Sequence, residues 1–142
     1  MADLMRPDDL KKISNDADMA KAQEYIKKAK KEEEERNSLR EAFMHRDIHP
    51  QVRERVNAAI KRAAEQGNHE LRVITFPSKY CNDGGRRINN SEPDWPSSLE
   101  GFAKKAYEYY DKEMRPLGYK LRVEIIDFPG GMPGEVGMFL RW

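Results

Sequence analysis

Asp83, Gly84, Gly85, Arg86 and Arg87 form an unbroken run, followed at once by Ile88, Asn89 and Asn90. Two glycines let the backbone turn its amides inward, and two guanidinium groups beside such a turn suit a phosphate or a carboxylate. The two asparagine amides add both donors and acceptors. Against this stand the absence of GxGxxG or GxxxxGK[ST] and a following helix expected only about ten residues later, too far for its dipole to assist. A solvated turn with surface arginines is the plainer reading.

Cys81 is the single cysteine, and His69 is the histidine nearest to it in sequence. If the intervening strand is extended, the two sit about 20 Å apart, too far for a thiol–imidazole pair. A buried structural thiol is expected. His45 and His49 are spaced four apart with Asp47 between them, as two metal ligands on one helix face would be. Pro50 disrupts that helix at once and no further ligands lie near, so capping of a helix end is the ordinary role. Asp127, at a strand end, would need Asp83 or Glu135 as a partner for acid–base work, and nothing positions such a pair. The sequence therefore assigns no catalytic residue, no metal and no cofactor.

These residues belong to a stretch, KYCNDGGRRINNSEPDWP from Lys79 to Pro96, that is far longer than the roughly 4–6 residues of an ordinary connection. A loop of that length is commonly a binding loop, and the candidate binding residues are Lys79, Tyr80, Arg86, Arg87, Asn89, Asn90 and Trp95. Trp95 has a competing role, stapling the next helix to the core. Met132, in the glycine-bearing PGGMPGE turn, completes the set.

The elements around this loop follow from apolar spacing. Pro7 with Asp8 and Asp9 starts a short helix through Ile13, and SNDAD at Ser14–Asp18 caps a second helix whose Ala22, Tyr25, Ile26 and Ala29 keep helical spacing. KKEEEERN, Lys30–Asn37, has no apolar face. Its ion pairs four residues apart contribute only about 0.2–0.5 kcal/mol each. A helix from Ala17 to His45 would be roughly 43 Å long, against a radius of gyration near 14 Å for a compact chain of this size. The arm must project or fold back, with Leu39, Ala42 and Phe43 meeting a surface at its far end.

Asp47–Pro50 breaks the arm. Val52, Val56, Ala59, Ile60 and Ala63 then form a helix that Gly67 ends. Leu71–Phe76 reads as a strand. After the loop, Ser97 with Glu100 forms a capping box for a helix that buries Leu99, Phe102, Ala103, Ala106, Tyr107 and Tyr110 and turns Tyr109 away from the core. Tyr119, Leu121, Val123 and Ile125 alternate as a second strand, and Val136–Trp142 alternates again.

LRVITFP and LRVEIIDFP each follow a helix and a glycine, a repetition that predicts parallel neighbouring strands and puts the long loop and the PGGMPGE turn on one rim. Strict alternation leaves Ile74, Phe76, Ile126 and Phe139 on the opposite face among Arg72, Arg122, Glu124 and Arg141. The arm's Leu39 and Phe43, or a dimer, are expected to cover that face.

The fold class expected is α/β: a two-layer, sandwich-like domain, residues 50–142, with order helix, strand, helix, strand, strand and a small mixed three-stranded sheet. A charged helical arm, residues 1–49, precedes it. Charged residues are 36% of the 142, yet 26 basic and 25 acidic side chains nearly cancel. Without a basic surplus, nucleic acid is an unlikely partner; Lys79, Arg86, Arg87, Lys104 and Lys105 would be its only footing. No apolar run approaches the roughly 18 residues of a membrane span. One cysteine gives no reason for an oxidising compartment, so a cytoplasmic location is expected. The expected function is a non-catalytic interaction or adaptor protein that self-associates or docks a protein partner through the arm. A binding domain or small enzyme for an anionic small molecule at the loops is the alternative.

Overall fold

Pro7 begins a helix whose first turn carries Asp8 and Asp9, and in the computed structural model, which describes residues 3–142, that helix continues without a break as α1 (Pro7–His45). The break expected at Ser14 is absent. No proline or glycine lies between Pro7 and His45, and cap-forming residues in a helix interior cost only about 0.7 kcal/mol each at most. No residue of α1 is buried. The chain forms two compact units, one reaching to Glu41 and the other Ala42–Trp142.

The second unit begins with the last turn of α1. α2 (Val52–Glu65) follows, ended by Gly67 at φ +83°, and leads into β1 (Glu70–Pro77). A four-residue helix, α3 (Arg86–Asn89), interrupts the long connection before α4 (Gly101–Tyr109). The chain continues through a π turn at Tyr110–Met114, and β2 (Lys120–Ile125) and β3 (Glu135–Arg141) complete the order. Together these elements make the expected two-layer α/β domain after a long helix. None of the helices among the described residues is long and apolar enough to cross a membrane.

The sheet order is β1-β3-β2, with both pairings antiparallel. β1 and β2 do run the same way, but β3 lies between them, so they are not neighbours and the sheet is not mixed. β3 is the most deeply buried strand, with Val136, Met138 and Leu140 all buried. The strand with most to hide takes the centre, and its hairpin to β2 leaves its other edge for β1.

A bulge corrects the expected faces of β1. The register moves from Arg72↔Phe139 to Ile74↔Met138, leaving Val73 as the extra residue. One unpaired residue reverses the alternation that follows it. Leu71, Ile74 and Phe76 thus stand opposite Leu140, Met138 and Val136 and pack with the core. On the other face, Arg122 lies 4.1 Å over the Phe139 ring and bonds Glu70 at 2.8 Å, holding the Glu70 carboxyl below its usual range. Phe139 in turn lies across Gly137, where an added Cβ would come within 2.8 Å of the ring. Arg122 and Phe139 thus shield part of that face. Phe43 packs on the core face instead, with its ring 5.4 Å from Phe76 and 5.0 Å from Tyr80, and Leu39 is 67% exposed.

Two further expectations fail around α4. The capping box does not form, because Leu99 is extended and Glu100 stands as the cap residue without a side-chain bond. Gly101, at φ +58°, starts the helix in close contact with Met44, where a Cβ would meet the Met44 Cα at 2.6 Å. Tyr109 does not turn away. It is half-buried against Ile60, Tyr110, Met114 and Leu140, since the π turn widens the helix just where the stripe would otherwise have rotated off the core. The Tyr110 hydroxyl donates to the Tyr119 carbonyl at 2.8 Å. Between α2 and α4 the helical layer leaves a cavity of about 410 Å³.

Candidate functional site

The two glycine-bearing loops do meet on one rim. The Ser78 amide donates to the Gly134 carbonyl at 2.8 Å, and its hydroxyl donates to the Pro133 carbonyl at 3.0 Å. Gly85, at φ +88°, tucks in beneath them, with its Cα so close to Ser78 that a Cβ would fall 2.9 Å from the Ser78 Cβ. The shared direction of β1 and β2 delivers both loops to this edge even though β3 separates the strands.

The anion-holding turn is occupied from within. The Asp83 carboxylate accepts from the Gly85 amide at 2.9 Å and from the Arg87 amide at 3.0 Å. Arg87 then pairs with Asp94 at 3.2 Å and with Asp83 at 3.9 Å. The chemistry read from these residues is the right kind, but the chain supplies its own carboxylate.

The remaining candidates divide by burial. Tyr80 is a core residue and Trp95 is half-buried, its ring 5.4 Å from Tyr107 in an edge-on contact. Lys79, Arg86, Asn89, Asn90 and Met132 are exposed around the rim. Lys79 and Arg86 have no ion-pair partner among the described residues. Asp127 accepts from the Glu135 amide and closes the hairpin loop, which gives its carboxylate a structural task.

Cys81 is buried, and burial pushes its thiol up to about 11, with a hydrogen bond to Ser98 acting the other way and the nearby Asp83 and Glu100 carboxylates adding to the rise. At neutral pH it is a thiol, not a nucleophile. His49 uses Nδ1 to accept from the Gln51 amide at 3.0 Å, so it stabilises the start of α2 rather than the end of α1.

The surface of α1 is the other candidate. Leu10, Ile13, Met19, Tyr25, Ile26 and Leu39 are between 48% and 75% exposed. At 3.6 residues per turn, Leu10, Ile13, Tyr25 and Leu39 fall on one side of the helix while Met19 and Ile26 occupy the opposite side. Sequence reasoning found the lack of an apolar face at Lys30–Asn37 but missed this division, which spacing alone discloses. Comparison with protein-family models, with curated proteins and with solved structures finds no match to this chain.

Proposed function

We propose that this is a non-catalytic interaction protein, with α1 as the docking element. The observation that carries the proposal is that α1 (39 residues) contains no buried residue while exposing six large apolar side chains. Helices in proteins draw most of their stability from packing an apolar face, and a helix with none of its own relies on a partner's. Apolar positions on opposite sides favour a helix flanked by two neighbours over a two-stranded coiled coil, whose seam lies on one side. The simplest such neighbours are other copies of the chain.

Light scattering on the full chain tests this. The expected mass exceeds that of a dimer and falls toward the monomer when Leu10, Ile13, Met19 and Ile26 are together replaced by lysine, with the melting of the second unit unchanged. A monomeric mass at all concentrations rules out self-association.

A further inference from the structure

The cavity between α2 and α4 has a floor contributed by all three strands: Ile74, Leu121, Met138 and Leu140. Val52 and Val56 of α2 form one wall and Ala106 and Tyr109 the other, with Phe43 and Phe102 also lining it. At about 410 Å³ it falls within the roughly 300–1,000 Å³ of small-molecule sites.

Its charge is one-sided. Arg46, His49 and Arg55 line it and are exposed, which places them where it meets solvent, and among the described residues no Asp or Glu lines it. Arg46 is held with its guanidinium 4.2 Å over the Phe102 ring, so one cation is fixed against the apolar wall. Asp47, the one carboxylate in the segment joining α1 to α2, is engaged by Lys105. Neither Arg46 nor Arg55 has an ion-pair partner among the described residues.

We infer that this cavity binds a small amphipathic carboxylate, its apolar body between α2 and α4 and its head against Arg46 and Arg55. A neutral apolar molecule would leave the arginines unused, and a cationic amphiphile would face like charge where the cavity meets solvent. Arg53 of α2 pairs with Glu113, in the π turn that continues α4, at 3.4 Å, tying together the two elements that flank the cavity.

Calorimetric titration of the full chain with decanoate, decanol and decyltrimethylammonium, each below its aggregation threshold, tests the inference. Decanoate is expected to bind one per chain, at least about tenfold tighter than decanol, with no binding of the cation; tenfold corresponds to about 1.4 kcal/mol. The Arg46→Ala/Arg55→Ala variant should lose that preference and bind decanoate and decanol alike. Ala106→Leu should fill the cavity and lose both ligands while melting at or above the wild-type temperature. If Ala106→Leu fails to fold, Val56→Phe serves the same purpose from the other wall. Absence of decanoate binding, equal binding of all three amphiphiles, or wild-type binding by a folded cavity-filling variant would overturn the inference.

Discussion

α1 and the connection between β1 and α4 are opposites. The first is the most regular segment of the chain, yet it has no fully buried residue and only Phe43 and Met44, in its last turn, are packed against the core. The second has almost no regular structure, yet Ser78, Tyr80, Cys81, Ile88 and Ser98 are all buried within it. Tyr80, Cys81 and Ile88 join Phe76, Leu99, Ala103, Val136 and Met138 in one cluster. Backbone regularity and contribution to the core are therefore separate properties. A helix satisfies its own hydrogen bonds without a neighbour, whereas an irregular segment with buried residues must find partners one amide at a time. The connection does so, with the Asn82 amide bonded to the Ser98 carbonyl at 2.9 Å and the Asn82 side chain to the Ser97 carbonyl at 2.8 Å.

This contrast predicts a steep ordering of mutational effects. Ile88→Ala, in the irregular segment, should destabilise the second unit by about 2–5 kcal/mol in urea denaturation, the range for truncating a buried isoleucine. A loss under 1 kcal/mol would mean that the connection is a surface loop after all. Asp83→Ala, which frees the Gly85 and Arg87 amides, should cost about 1–2 kcal/mol, in line with loss of a capping carboxylate.

Cys81 sharpens the comparison through pH. Its folded thiol ionises near 11 against the ordinary 9.0, so the unfolded chain releases the proton first as pH rises. Its stabilisation is intact below pH 9.0 and is lost progressively toward 11. Thermal melts should show that decline in the wild type and a smaller one in Cys81→Ala. Iodoacetamide at neutral pH should label Cys81 only on unfolding. The smallest effect belongs to α1: Ile26→Ala should change the unfolding free energy of the second unit by less than about 0.5 kcal/mol, as for a surface site.

Much of the second unit was legible because its patterns are local. The stripe of Val52, Val56, Ile60 and Ala63, the glycine stop at Gly67, the alternation of Leu121, Val123 and Ile125, and the glycine-bearing turn at PGGMPGE each lie within one short window. Strand order was not, since the similarity of LRVITFP and LRVEIIDFP reports direction and composition but says nothing of β3 entering between them. The Val73 bulge was hidden for the same reason: it exists only relative to Met138 and Phe139 on the partner strand. The loop chemistry was legible in kind but not in occupant, because Asp83 stands next to the glycines it caps and reads equally well as a turn residue. The cavity left no trace in sequence, as its lining comes from every element of the second unit except α3.

Hydrogen exchange followed at several protein concentrations tests the central contrast most directly. Amides of the connection, among them Asn82, Asn89, Asn90 and Leu99, should be protected to the same degree at every dilution, while those of α1 before Glu41 should gain protection only as concentration rises. Connection amides that exchange like an open coil, or α1 amides whose protection ignores concentration, would contradict the account.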